Sequence, residues 1–258
     1  MDLIRRLFSA ALVAGVLSGT AVSVVQQATT VPLILEAEKY EVTVPPAPSP
    51  TAAPVASTLA PTATGHEHHG HATPERSLGE GVPATTEEAL NRLLTTIAAN
   101  LLTGVGYGLL LAGVMLLMGD RVDARRGLLW GAGGFIAFAL APAYGLPPEL
   151  PGMGGADLEA RQLWWFAAAA CSAGGLLALA FARVPALVAA GVAAILLPHL
   201  IGAPHPETPA GAVPPELAAR FVTASLGSAA LFWAVLGSAC GFMMSRFVAA
   251  DDFRDAFE

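Results

Sequence analysis

The sequence predicts an all-α polytopic membrane protein, with about six transmembrane helices in three helical hairpins and both termini cytoplasmic. Three observations carry this reading. Of the 258 residues, 54% are hydrophobic and only 13% are charged, against roughly a quarter charged in ordinary globular domains. The apolar residues come in long runs and do not alternate. The arginines sit at the ends of those runs, with an excess on one side.

The first run, Leu7–Val25, follows Arg5-Arg6. A basic pair before an apolar stretch also fits a secretory signal peptide. This run is longer than a usual h-region, however, and no clear small-x-small cleavage site follows, so a retained helix over 1–29 is expected. Residues 30–90 then read as an extracytoplasmic Pro-rich, His-bearing loop. Its prolines alternate with Ala, Thr and Ser from Pro45 to Pro61, a composition that cannot build a core.

A five-helix membrane domain over 91–248 follows, and an acidic cytoplasmic tail over 249–258 closes the chain. Its runs are Leu93–Met118, Gly127–Tyr144, Leu163–Ala182, Val184–Ile201 and Phe221–Phe247. About 20 residues make a helix about 30 Å long, enough to cross the hydrocarbon core. Gly, Ala and Ser are abundant within the runs, as close packing in lipid requires. Arg121, Arg125, Arg126, Arg183, Arg246 and Arg254 join Arg5 and Arg6 on the inner side. Lys39, Arg76, Arg92, Arg161 and Arg220 fall outside, which leaves a modest positive-inside excess.

A repeat is also visible. Glu88 precedes Arg92, Asp157 precedes Arg161 and Glu216 precedes Arg220, each by four residues at the start of an inward-running helix. Two readings are equally open: a parallel repeat of three hairpins, or ordinary i,i+4 helix pairs.

Metal chemistry enters with His66-Glu67-His68-His69-Gly70-His71. Four imidazoles and a carboxylate in six residues suit borderline divalent ions such as cobalt, nickel, zinc and copper. The spacing is not that of a structural zinc site, so a weak, exchangeable site is expected. Further candidate ligands are His199, near the outer end of the fifth run, His205 just beyond it, and Glu36 and Glu38 after the first helix. With Glu149, Asp157, Glu159, Glu207 and Glu216 they make the outer side acidic, which raises local cation concentration. Asn100 is the most polar residue at depth, and no ionisable residue is expected at the midplane. Trp164-Trp165 read as an aromatic belt, and Cys171 and Cys240 as packing residues.

Other classes are disfavoured. The net charge of −7, with no basic block, speaks against a nucleic-acid partner. There is no phosphate loop, no nucleophile–base pair and no closed metal constellation, so neither an enzyme nor an organic cofactor is expected.

The opening Arg5-Arg6-Leu7 through Gln26-Gln27 and Val31-Pro32-Leu33-Ile34-Leu35-Glu36-Ala37-Glu38 resembles the CbtA family of probable cobalt transporter subunits. So do Leu140-Ala141-Pro142-Ala143-Tyr144-Gly145-Leu146-Pro147, Ala160-Arg161-Gln162-Leu163-Trp164-Trp165 and Leu197-Pro198-His199-Leu200-Ile201-Gly202-Ala203-Pro204. The resemblance implies cobalt as the substrate, a link to cobalamin synthesis, a small one-helix CbtB-type partner and a multi-pass protein of the bacterial inner membrane. The expected function is cobalt uptake. An accessory or metal-sensing protein that presents metal to a separate permease is the alternative, and nickel or zinc is equally compatible with the donors.

Overall fold

A computed structural model describes residues 2–41, 85–118, 123–206 and 211–247. Among them the chain forms α1 (Asp2–Ala28), α2 (Thr30–Glu41), α3 (Thr86–Leu117), α4 (Ala124–Phe135), α5 (Ala141–Gly145), α6 (Leu158–Phe181), α7 (Pro185–Ile201) and α8 (Pro215–Phe247), with no strand. A π-helical turn, Ile136–Leu140, joins α4 to α5 in one rod, Ala124–Gly145. Among the described residues, five helices are long and apolar enough to cross a membrane: α1, α3, the rod, α6 and α8. The fifth expected span, α7, is apolar but has 17 residues. That is about 26 Å of helix, slightly short of the hydrocarbon core. The protein is thus all-α and polytopic.

Side-chain caps set the helix starts. Thr85 and Glu88 form a capping box, with Thr85 N–H donating to Glu88 Oε2 (3.1 Å) and Glu88 N–H to Thr85 Oγ1 (3.3 Å). Asp123 accepts from Arg126 N–H at 2.8 Å, and Asp157 accepts from Ala160 N–H at 3.0 Å. These caps revise the acid–arginine repeat: Glu88 and Asp157 satisfy backbone donors, and their arginines pair elsewhere.

Two boundaries also shift. α2 occupies 30–41, where a loop is expected, and α3 begins at Thr86. Pro32 has no N–H for the carbonyl of Ala28, so the chain turns at Thr29 and restarts as α2. Leu33 and Ala37 of α2 then pack on Leu150 and Leu217 in a small core of their own.

Glycine seams hold the spans together. Gly15 and Gly19 of α1 face Gly104 and Asn100 of α3, and a Cβ at Gly19 would lie 2.7 Å from the Asn100 carbonyl oxygen. Gly127 and Gly131 of α4 face Gly237 and Gly241 of α8, while Gly175 of α6 faces Gly191 of α7. With no side chain between them, the backbones approach to van der Waals contact, which is what binds helices that lipid does not drive together. The seams pair the first span with the second, the third with the sixth and the fourth with the fifth. The spans alternate in direction as three successive hairpins require, but only the first hairpin is also a tight pair. α1 lies between α3 and α8, whereas α7 rests mainly on α6 at the edge.

Arg5, Arg6, Arg125, Arg126, Arg183 and Arg246 share one end of the bundle. The other end carries α2, the carboxylates and His199.

Candidate functional site

Two ion pairs stand at the acidic end. Arg92 Nη1 donates to Glu38 Oε1 at 2.8 Å and ties α2 to α3. Both partners are well exposed, so the pair contributes only about 0–1 kcal/mol. Arg161 Nη2 lies 2.8 Å from Glu149 Oε2, and this pair is more sheltered. Glu36 is exposed on α2.

His199 sits in the last turn of α7, half-buried, with its ring edge-on to Tyr144 (5.4 Å) and Trp164 (5.8 Å). Trp164 Nε1–H donates to the Pro198 carbonyl at 3.2 Å. Among the described residues, the buried His199 Nδ1 has no hydrogen-bond partner. Trp164 is therefore an internal packing residue here and not a belt residue: it is buried against His199, and a Cβ at Gly145 would strike its ring at 2.4 Å. His205 is exposed, its Nδ1 2.5 Å from the Ala203 carbonyl oxygen.

Asn100 belongs to another place. Its Nδ2 donates to Ser23 Oγ (3.0 Å) and Gln26 Oε1 (2.7 Å), locking α3 to α1. His199 on α7, Glu36 on α2 and Asn100 on α3 are thus on three separate elements, and α7 makes no appreciable contact with α2 or α3. The structure does not bring them together.

The structure adds a feature that sequence reasoning missed. A cavity of about 630 Å³ opens between the rod, α6 and α8, with Glu149, Arg161, Gln162, Trp165 and Ser225 on its wall. A second space of about 620 Å³ lies toward the arginine end between α3, α4 and α6. Phe138 alone lines both. It stacks on Trp233 (5.7 Å, 13° between planes), with Tyr107 at 5.2 Å and Trp165 at 6.4 Å. Trp165, too, packs toward Phe138 and lines the outer cavity.

The π turn presents Phe138. Pro142 supplies no N–H to the carbonyl of Phe138, four residues earlier, and its ring would crowd that carbonyl in a regular α-helix. A widened turn relieves the crowding. Pro142 within the third apolar run was the available sequence signal.

A family model described as probable cobalt transporter subunit (CbtA) matches residues 4–245. The chain belongs to the CbtA family. No curated protein and no solved structure matches it. The CbtA match spans both cavities, the π turn and His199 alike, and its description makes the protein a subunit, which implies a partner. With cobalt as the family's cargo, the donors can be weighed. Among the described residues no three His, Cys, Asp or Glu side chains come close enough to hold an ion. His199, His205, Glu36 and Glu38 are dispersed over the acidic end, and His66, His68, His69 and His71 lie outside the described residues.

Proposed function

We propose that this CbtA-family subunit takes up Co²⁺ at its acidic end, with His66, His68, His69 and His71 as an outer collector. The family match over nearly the whole chain is the observation that carries the substrate. The outer cavity is the best-supported vestibule, because it combines Gln162, Ser225 and the Glu149 carboxylate, paired there with Arg161, with an open mouth. Glu36, exposed on α2 at the same end, adds negative charge, while Glu38 is paired with Arg92. His199, at the same end with a free ring nitrogen, is a single weak donor on the flank. Phe138, which lines both spaces, stacks on Trp233, and in this reading the pair would serve as an apolar gate that excludes water.

A second reading has an observation of its own. The inner space is apolar, and among the described residues its one charged wall residue is Arg126, a poor route for a divalent cation. That favours a subunit that presents the metal to a separate permease, with the CbtB-type partner as a candidate.

Radiolabelled cobalt uptake by cells expressing this chain, alone and with the small partner, separates the two. Uptake by the chain alone supports the permease; uptake in neither case supports the presenter. In the permease, replacing all four clustered histidines by alanine weakens uptake at low cobalt and spares it at saturating cobalt. A tethered collector raises local concentration without forming the path. Acidification to about pH 5 mimics the variant, since protonated imidazole cannot ligate. Total loss at saturating cobalt would place the histidines in the path itself.

A further inference from the structure

The space of about 620 Å³ toward the arginine end is a lateral groove. Leu110, Val114, Leu129, Leu177 and Phe181 line it, all within membrane-spanning helices. It is open to the side because α3 and α6 make no appreciable contact and each touches α4 only lightly. In a bilayer such an opening meets acyl chains.

Arg126, in the first turn of α4, is the only charged residue on the wall among the described residues. Asp123 already caps that helix start by accepting the Arg126 N–H at 2.8 Å. The guanidinium, and not the helix dipole, is therefore what the groove offers an anion. Its five N–H donors can serve a phosphate alongside another partner. Trp130, stacked on Phe181 at 5.7 Å, also lies on the wall, and tryptophan favours headgroup level.

We propose that this groove binds one anionic phospholipid, with an acyl chain along α4 and α6 and the phosphate at Arg126. The volume fits. Ligand sites run from roughly 300 to 1,000 Å³, whereas a partner's whole transmembrane helix fills on the order of 2,000 Å³. The basic rim between spans matches the general chemistry of anionic headgroup sites. The proposal does not depend on the cobalt reading.

The test uses the purified full chain in detergent, offered phosphatidylglycerol or phosphatidylcholine with identical acyl chains, with bound lipid counted by native mass spectrometry. One phosphatidylglycerol is retained with about tenfold preference, as a charge-assisted contact gives. Arg126→Gln removes the preference, and Arg126→Lys keeps part of it. Gly133→Leu lowers the count for both lipids, because Gly133 is on the wall and a Cβ there meets nothing within 4 Å, so the side chain starts in open space on the groove side. Circular dichroism checks that each variant is folded; if Arg126→Gln is not, Arg126→Lys and Gly133→Leu decide. Equal retention of the two lipids, a Gln variant that keeps the preference, or an unaffected Gly133→Leu overturns the proposal. So does a photo-crosslinker at Leu177 that captures a protein chain in cell membranes instead of lipid.

Discussion

At the scale of single residues, the glycines of one helix divide sharply by what surrounds them. Gly104 faces the Gly15 carbonyl, and a Cβ there would run into backbone that cannot move aside. Gly106 and Gly113 lie on the same helix with nothing within 4 Å of an added Cβ. Gly104→Ala should therefore destabilise the α1–α3 seam by about 1–3 kcal/mol, the usual cost of overpacking. Gly106→Ala and Gly113→Ala should stabilise by roughly 0.5–1 kcal/mol, because alanine has less backbone freedom to lose. Unfolding titrations in mixed micelles measure all three, and a common sign for the three variants would refute the seam. Sequence alone could count these glycines but could not sort them, since the sorting depends on which face meets the neighbouring backbone.

At the scale of elements, the acids before the inward-running helices were legible and their role was not. Asp157 stands four residues before Arg161, a spacing that reads as an i,i+4 pair. Its carboxylate instead accepts the Ala160 N–H, and Arg161 reaches across to Glu149. Asparagine caps helices as well as aspartate does. Asp157→Asn should thus be near neutral and Asp157→Ala should cost about 1 kcal/mol. If the two variants are equally damaging in the same titration, charge pairing and not capping is what the residue supplies. The π turn has the same lesson. A proline inside an apolar run announces a disturbance, but whether the helix kinks, breaks or widens depends on the helices packed around it. Here α6, α8 and α3 close on Phe138 through Trp165, Trp233 and Tyr107.

At the scale of the whole molecule, the two ends of the bundle differ in charge, and the proposed orientation sets the arginine end in the cytoplasm. Single cysteines test it in a Cys171→Ala background, where Cys240 is silent because it is fully buried. Ser245→Cys, exposed at the arginine end, should react with an impermeant thiol reagent in inside-out vesicles. Glu159→Cys, exposed at the acidic end, should react from outside intact cells. The reverse pattern would turn the vestibule toward the cytoplasm and end the uptake reading, and labelling of both from one side would contradict the bundle.

Length and apolarity of the runs were enough to give the membrane class and the positions of the spans, because lipid leaves a long apolar segment only one way to satisfy its backbone: as a helix. The arginines were enough to give a consistent sidedness. The residues from Arg5 to Pro204 that carry the family resemblance lie within the 4–245 match. Which helices touch was decided only in three dimensions. The pairing of the third span with the sixth joins Gly127 and Gly131 to Gly237 and Gly241, residues over a hundred positions apart in sequence. The same folding separates His199, Glu36 and Asn100 onto three elements, and sets Phe138 between two cavities that no local pattern announces. Local sequence fixes where a helix begins and how long it runs, but a site made of several helices exists only once their small-residue faces have met.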